Sequence, residues 1–556
     1  MSTENGDADE ATPSSVVVRE EEGEESRQGT ITSARFNLLS TMVGGGSLSL
    51  PLAFHQSGNA FMGPLLLIIV GLCSELSIRS LLAAANARSP PEHSRKGTAS
   101  FESVTSDAFG PKARYVSMGL VALICFFATV GYAVLLRDLL EPITDALIPP
   151  SPDVSPDDTG KPKLAHNLTM LLVMLLVTPL TTLNNLTALE KVGAASMLSV
   201  LTLGACVAYR SAQCNFGTAN EDIRHSASWE DYMTFVPTSF GQVLDAFPIF
   251  ISCFMCHYNV IPVHNELQDP TPARVSYLVR STTWAAMSFY LFIGFTGSMY
   301  GNCTPSGTVQ GNVLLDFDED DPLLGVGRLC LAFTVTLAFP MLVIPARDTF
   351  LRALSFLRHS PTTPSSNYTQ ATLDTIHVDS HGSQFRSQSG QVVDPRNIDK
   401  DLFEPLLSPE EKQKDEETGT GRTESLVPVS DGVDGDDEMV AVVQMAGVED
   451  AISSRTLRIG SAIVIFWSGA AVACFVKSID VVWDLLGSSL SIIVGWLIPC
   501  GTYIALVSRR EGLNDTTPLS LSQKLYNMTA WAIVISFTPL MILCTGNAVY
   551  NTFFAP

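Results

Sequence analysis

Three consecutive glycines, Gly44–Gly46, lie in the middle of an apolar segment that is long enough to cross a bilayer. Glycine weakens a helix, and unwound backbone at membrane depth is tolerated only where protein buries it or where it lines a wet cavity. The N–H groups that begin the second half of such a broken helix can hold a carboxylate. The carbonyl groups that end the first half can hold a cation, so the break suits a zwitterion. The alternative is close packing of the glycines against a neighbouring helix.

A second apolar segment, near residues 241–262, also contains polar residues and a proline. His257 and Asn259 lie in it, shortly before Pro262. Polar side chains at membrane depth are functional candidates, and transporters built from inverted repeats break two corresponding helices near the midplane. We therefore predict that His257 and Asn259 belong to the same site as the glycines. His257 is also a candidate proton carrier, because histidine titrates near neutral pH; a packed, neutral imidazole is the alternative.

The composition is typical of a membrane protein. Of the 556 residues, 46% are hydrophobic and only 16% are charged, against about 25% charged in an ordinary soluble domain. The net charge is −23, and most of it lies in residues 1–33 and 351–455, which together hold 28 acidic and eleven basic residues. Both segments contain too few apolar residues to form a core and are predicted to be disordered. No Lys/Arg-rich face is visible, which argues against a nucleic-acid partner.

The remaining chain contains eleven apolar segments, each near the length of about 20 residues that a membrane-spanning helix needs. We predict an all-α integral membrane protein, embedded in lipid, with eleven transmembrane helices. They lie near residues 35–56, 62–85, 114–138, 166–184, 189–209, 241–262, 277–300, 325–350, 456–477, 481–507 and 526–547. Lys and Arg are concentrated in alternate short loops, which predicts a cytoplasmic N-terminus and a C-terminus on the opposite side.

This arrangement predicts the organisation of the chain. Its parts are an acidic cytoplasmic tail (1–33), five helices (34–210), an extracytoplasmic loop (211–240), helices six to eight (241–350), a cytoplasmic loop (351–455), helices nine and ten (456–507), and helix eleven with the C-terminal tail (508–556).

Two of the eleven cysteines, Cys214 and Cys303, lie in loops that we place on the non-cytoplasmic side. That side is oxidising, so we predict a disulfide between them; two unrelated thiols are the alternative. Asn302 begins an N-glycosylation sequon on the same side, although modification beside a bridged cysteine would be hindered.

Hydroxyl groups in helix eight are candidates for binding a cation. Thr334 and Thr336 lie in the apolar segment before Pro340, where their oxygens could complete a cage with carbonyl groups of helix one. The alternative is an ordinary hydrogen bond to the preceding helical turn.

Three stretches together resemble the amino acid/auxin permease family, and within it the branch of sodium-coupled neutral amino acid transporters. They are Phe36–Gly58 with its three glycines, Phe254–Gln268 with its Cys-His pair, and Arg328–Arg347. The resemblance covers the membrane segments but not residues 1–33 or 351–455.

The resemblance implies a LeuT-like fold of five plus five inverted helices with one extra helix, and secondary active transport of amino acids. It implies that the substrate's α-carboxylate and α-amino groups bind at the helix-one break, at Thr41, Gly44, Gly45, Gly46 and Ser47. It also implies a sodium site at Ser40 and Thr336, and it matches the Cys214–Cys303 disulfide.

Ser40 departs from the family pattern, because the family usually has asparagine there. Serine supplies a hydroxyl group but no amide carbonyl, so proton coupling becomes the alternative to sodium coupling.

The leading hypothesis is thus a cation-coupled symporter of neutral L-amino acids that works by alternating access, with Na⁺ or H⁺ as the coupling ion and no cofactor. One alternative is a proton-coupled vacuolar or lysosomal carrier. Another is an amino-acid-sensing transceptor whose 351–455 segment binds cytoplasmic sorting or signalling proteins. The predicted location is the plasma membrane or a vacuolar or lysosomal membrane. An enzyme is not expected, because the sequence contains no zinc-ligand spacing, G-x-S-x-G elbow or Walker loop.

Overall fold

The computed structural model describes residues 29–87, 99–147, 164–182, 190–217, 229–318, 320–358, 437–476, 478–508 and 521–553. Over these residues the protein is helical, apart from one isolated bridge between Gly29 and Leu267. Within them, nine helical segments are long and apolar enough to cross a membrane.

The helices, in chain order, have the following bounds: α1 Ile31–Met42, α2 Leu50–Ser57, α3 Met62–Asn86, α4 Phe101–Phe109, α5 Pro111–Leu147, α6 Leu164–Thr181, α7 Glu190–Phe216, α8 Trp229–Tyr232, α9 Phe240–Cys253, α10 His257–Glu266, α11 Pro272–Tyr300, α12 Pro322–Arg358, α13 Asp437–Ala473, α14 Ile479–Leu485, α15 Ile498–Tyr503 and α16 Leu521–Phe553. Between α14 and α15, and after α15, the chain continues as π-helical turns that end at Ser508.

The count of nine differs from the predicted eleven at two segments. The predicted first helix is divided into α1 and α2, each too short to span a bilayer by itself. The predicted seventh helix is continuous as α11, with 29 residues, but its Ser, Thr and Gly residues make it less apolar than the nine. The predicted sixth helix, also broken, is α9 followed by α10.

Both predicted breaks are present. After Met42 the chain leaves the helical conformation at Val43 and Gly44, which has φ −133° and ψ −146°, and a single 3₁₀ turn, Gly45–Leu48, leads into α2. After Cys253 the chain is non-helical at residues 254–256, and α10 begins at His257. The glycines at 44–46 therefore follow the end of a helix and are not packed within one.

Several helices extend past the boundaries that apolar composition suggests. Helix α12 continues to Arg358 and α13 begins at Asp437, so the ends of the 351–455 segment are helical and not disordered. Helix α1 begins at Ile31, inside the predicted 1–33 tail, and α7 reaches Phe216 in the predicted 211–240 loop. Backbone hydrogen bonding continues through polar turns as readily as through apolar ones, so apolarity alone does not mark the end of a helix. The central part of 351–455 and residues 1–28 lie outside the described residues.

Cys214 and Cys303 form the predicted disulfide, with a Cα–Cα distance of 6.4 Å. It joins the end of α7 to the turn after α11. Nearby, Arg210 donates two hydrogen bonds of 2.7 Å to Asp321, and this pairing holds the pKa of the Asp321 carboxyl below its usual value. The side of the protein that carries the disulfide is called the disulfide face below.

Asn302, the glycosylation candidate, is fully buried beside the disulfide. Its Nδ2 donates to Asn215 Oδ1 at 3.1 Å. A glycan on that nitrogen would require the side chain to leave this position, so the sequon is unsuited to glycosylation in this structure.

Removing the disulfide should destabilise the protein. Cys303→Ser opens a loop that spans 89 residues, and loss of a native disulfide typically costs on the order of 2–4 kcal/mol. We expect a lower thermal unfolding midpoint of the purified protein in detergent. Cys330→Ser, at a free half-buried cysteine, is the matched control and should leave the midpoint nearly unchanged. Equal midpoints for the two variants would contradict the expectation.

Candidate functional site

A small cavity of about 30 Å³ lies between the two helix breaks, enough for two or three water molecules. Three of the lining residues come from α1 and the turn that follows it, and three from α9, α10 and the residues between them. Three more come from α5 and three from later helices. They are Thr41, Met42 and Gly46; Ser252, Met255 and Tyr258; Ile124, Ala128 and Tyr132; and Leu342, Trp483 and Leu486. The predicted residues Thr41 and Gly46 thus face this cavity. None of the twelve side chains lining it is charged.

Tyr132, which the sequence reading missed, lies directly against the first break. A Cβ atom at Gly44 would overlap its hydroxyl group, so only glycine leaves room for this approach. The Tyr132 ring packs edge-on against Phe339 and Trp483, which holds it in the cavity wall. A tyrosine in the apolar stretch of α5 was the available signal, but α5 shows no break that would have drawn attention to it.

The two breaks contact each other through side chains and main chain. Asn259 Nδ2 donates to Thr41 Oγ1 at 3.1 Å, and the Cys253 thiol approaches the Gly46 carbonyl oxygen at 3.4 Å. The Tyr290 hydroxyl of α11 donates to the Cys253 carbonyl at 2.7 Å. The predicted residues Thr41 and Asn259 are therefore brought together, as one polar bridge between the broken helices.

Ser47 supports the shape of the first break. Its backbone N–H and its hydroxyl group both donate to the Gly44 carbonyl, at 3.1 and 2.7 Å. The hydroxyl thus satisfies a carbonyl that the interrupted helix leaves without its usual partner. A direct contact of Ser47 with substrate stays a prediction.

Ser40 and Thr336, the predicted sodium ligands, are not joined by a hydrogen bond. Ser40 is buried, and its Oγ has no partner among the described residues. Thr336 donates to the Ala332 carbonyl at 2.6 Å, which is the local helical bond expected as the alternative. Thr334 likewise donates to the Cys330 carbonyl, at 3.1 Å, and reaches the Ser196 carbonyl of α7 at 3.3 Å.

His257 is the first residue of α10 and is 1% exposed. Within the described part of the chain, neither ring nitrogen has a hydrogen-bond partner, and the side-chain Oδ1 of Asn259 also lacks one. Gly495, in a π-helical turn, lies beside the ring, so that a Cβ there would be 3.6 Å from His257 Nδ1. Buried polar atoms without partners are costly, and three of them lie at the second break.

Two other charged side chains, Arg79 and Asp245, form hydrogen bonds that link helices to each other. Arg79 donates to Glu75 at 2.8 Å and to Ser276 of α11 at 2.7 Å, so it links α3 to α11. Asp245 accepts hydrogen bonds from Asn547 and Asn551 of α16, at 2.5 and 3.0 Å. These contacts describe structural links between helices.

Comparisons with known proteins identify the family of the chain. Residues 27–543 match the family described as transmembrane amino acid transporter protein. The chain belongs to this family. Its members, like the relatives below, are transporters and not enzymes.

Two curated relatives represent two kinds of transporter. The chain is 27% identical over 323 residues to "Vacuolar amino acid transporter 5" of Schizosaccharomyces pombe, covering 58% of this chain and 69% of that protein. It is 25% identical over 320 residues to "Putative sodium-coupled neutral amino acid transporter 11" of Bos taurus, covering 57% of this chain and 62% of that protein. The alignments thus span about two thirds of each relative.

The fold is also shared with a solved structure. The crystal structure of MhsT in complex with L-phenylalanine superposes with a TM-score of 0.51 at 10% identity, over 93% of this chain and 98% of that one. This likeness shows a LeuT-like helical fold.

Gly44→Ala should strongly reduce uptake through the Tyr132 contact. The added Cβ would overlap the Tyr132 hydroxyl, and displacing a packed aromatic ring costs on the order of 1–3 kcal/mol. We expect uptake of a radiolabelled neutral amino acid by proteoliposomes to fall by more than about tenfold, since 1.4 kcal/mol corresponds to a factor of about ten.

Gly119→Ala is the matched control for this prediction. It lies in α5, the helix that carries Tyr132, and a Cβ there meets nothing within 4 Å. Its uptake and thermal midpoint should equal those of the wild type. Normal uptake by Gly44→Ala would show that transport does not require the close approach of Tyr132 to Gly44.

Proposed function

We propose that the protein is a cation-coupled secondary transporter of neutral L-amino acids that works by alternating access. The observation that carries the proposal is the cavity between two facing helix breaks, with the Tyr132 hydroxyl beside Gly44. N–H groups at the start of a helical segment have no partner within it and attract a carboxylate. Carbonyl groups and the Thr41 hydroxyl suit an ammonium group.

In this proposal the substrate's α-carboxylate and α-amino groups bind along the first break. The residues are Thr41, Gly44, Gly45, Gly46 and Ser47, with His257 and Asn259 at the second break. The substrate side chain points toward the apolar part of the cavity wall, formed by Ile124, Ala128, Leu342 and Leu486. Absence of charge among the described lining residues supports a neutral substrate, because an unpaired charge there would be left desolvated.

The size of the cavity supports alternating access. At about 30 Å³ the space admits only two or three waters, so an amino acid requires the helices to separate. A cation that binds together with the substrate can drive that change only by binding one conformation more tightly than the other.

The proposed membrane body has eleven helices, as a LeuT-like 5+5 inverted repeat with one extra helix. The nine long apolar segments supply most of it. The pair α1–α2, read as one broken span, and the 29-residue α11 supply the other two. The several apolar helices fit a multi-pass protein of the plasma membrane or of a vacuolar or lysosomal membrane.

Sodium is the first candidate for the coupling ion, at Ser40 and Thr336. The buried Ser40 hydroxyl has no partner in the described residues, and the Thr336 oxygen keeps lone pairs after donating to Ala332. The sodium-coupled name of the bovine relative supports the same ion.

Proton coupling, as in a vacuolar or lysosomal carrier, is the second candidate. The specific observation in its favour is the buried His257 imidazole, whose two nitrogens have no partner among the described residues. The vacuolar name of the fission-yeast relative supports it. A transceptor role through 351–455 stays a prediction, because most of that segment lies outside the described residues.

Tyr132→Phe should weaken substrate binding. The change removes the hydroxyl beside Gly44 and leaves the ring in place, and a hydrogen bond to a charged group is worth about 1.5–3 kcal/mol. We expect KM for a neutral amino acid to rise by roughly 10- to 100-fold. Tyr209→Phe, at an exposed tyrosine of α7, should keep the wild-type KM. An unchanged KM for Tyr132→Phe would remove Tyr132 from the site.

Two variants separate the candidate coupling ions in proteoliposomes with imposed gradients. If sodium is coupled, Ser40→Ala should raise the sodium concentration for half-maximal uptake by about tenfold or more, and uptake should not follow pH. If protons are coupled, uptake should fall as the pH on the substrate side rises, with no need for sodium. His257→Gln should then lose gradient-driven uptake but keep substrate exchange. Uptake that depends on neither gradient would contradict secondary active transport.

A further inference from the structure

Glu141, Asp145 and His166 form a cluster that the transport site does not use. Glu141 and Asp145 are four residues apart near the end of α5, so they lie on the same face of that helix. His166 lies in the first turn of α6. One ligand atom from each of the three residues lies within 4.8 Å of the other two.

The cluster lies at the disulfide face. Glu141 and Asp138 line a second cavity together with Leu314 and Phe317, residues of the segment that follows Cys303. Helix α5 has 37 residues, so it is about 55 Å long, whereas the hydrocarbon core is about 30 Å thick. Its last turns therefore reach the interface, where an ion can arrive from solution.

The imidazole is enclosed and the carboxylates are open to solvent. The His166 side chain is 6% exposed, with Nε2 at 2.9 Å from Asp145 Oδ1 and Nδ1 at 3.6 Å from Glu141 Oε1. The Glu141 and Asp145 side chains are 33% and 20% exposed. One imidazole nitrogen and two carboxylate oxygens are a ligand set that suits a divalent cation such as zinc.

We propose that Glu141, Asp145 and His166 form a zinc-binding site on the disulfide face. Zn²⁺ takes imidazole nitrogen and carboxylate oxygen at about 2.0–2.2 Å, in tetrahedral sites that use three protein ligands and a water. Such bonds put ligand atoms about 3.3 Å apart. To admit the ion, the 2.9 Å distance between His166 Nε2 and Asp145 Oδ1 would widen only slightly. The Glu141 carboxylate, which lies on the Nδ1 side of the ring, would rotate toward the ion.

Bound zinc would join the end of α5 to the start of α6. Tyr132 lies nine residues before Glu141 on α5, about 13 Å along the helix axis. If the proposed transport function holds, fixing this end of α5 slows the movement of the cavity wall, so zinc on the disulfide face inhibits uptake. Zinc binding itself does not depend on that function.

Direct binding of Zn²⁺ to the purified full-length protein, by isothermal titration calorimetry in a non-chelating buffer, tests the site. We expect one saturable equivalent. His166→Ala should weaken its binding by at least about 100-fold, because even losing an outer partner of a ligand costs about 10- to 100-fold. Glu141→His should tighten it by roughly tenfold, since a second imidazole suits zinc better than a carboxylate.

The matched control is His55→Gln. His55 belongs to α2 and contacts Tyr232 at 3.1 Å, away from the cluster, and the variant should bind zinc as the wild type does. No saturable zinc binding, or equal binding by wild type and His166→Ala, would overturn the site and leave the cluster as an ion pair. Equal binding by Glu141→His and wild type would exclude Glu141 as a ligand.

An uptake measurement separates this proposal from the proposed function. External zinc should reduce amino acid uptake by the wild type and by His55→Gln but not by His166→Ala. Zinc binding without any uptake in the absence of zinc would refute the transport function and leave the site intact. Normal uptake that zinc binding does not alter would refute the link through α5.

Discussion

Main-chain groups in a bilayer must find hydrogen-bond partners inside the protein, and the rest of this structure depends on how two interrupted helices meet that demand. The break after Met42 is closed by Ser47, which donates twice to the Gly44 carbonyl. The break after Cys253 receives the Tyr290 hydroxyl. Each break also supplies a partner to the other, through Asn259 and Thr41 and through Cys253 and Gly46. The two interruptions are therefore stable as a pair, within the protein and away from lipid.

The surrounding helices hold this pair by a small number of polar links. Arg79 ties α3 to α11 through Glu75 and Ser276. Asp245 ties α9 to α16, and the disulfide ties α7 to the end of α11. Since helices in lipid gain little from the hydrophobic effect between them, hydrogen bonds and close packing carry their association. None of these linking residues lines the cavity.

Several buried polar atoms at the two breaks lack partners among the described residues, as do others elsewhere in the protein. Ser40, His257 and Asn259 each contribute at least one. Such atoms are tolerated where a ligand or ion supplies the missing partner in part of a cycle. The breaks thus combine a small cavity with unsatisfied polar groups beside it, an arrangement that suits reversible binding of a small polar solute.

The sequence by itself determined the membrane character, the two breaks and the family, because each depends on local composition or on short motifs. It also indicated the disulfide pairing, because Cys214 and Cys303 are the two cysteines in loops placed on the oxidising side. Three consecutive glycines weaken a helix, and a long apolar run is suited to a bilayer. The sequence did not determine the helix ends at Arg358 and Asp437, since backbone hydrogen bonding continues past apolar residues. Only the tertiary structure decided that Tyr132 touches Gly44, that Asn302 is buried, and that His166 meets two carboxylates of α5. Those contacts join residues far apart in the chain, and their distances depend on how whole helices pack, which no local pattern encodes.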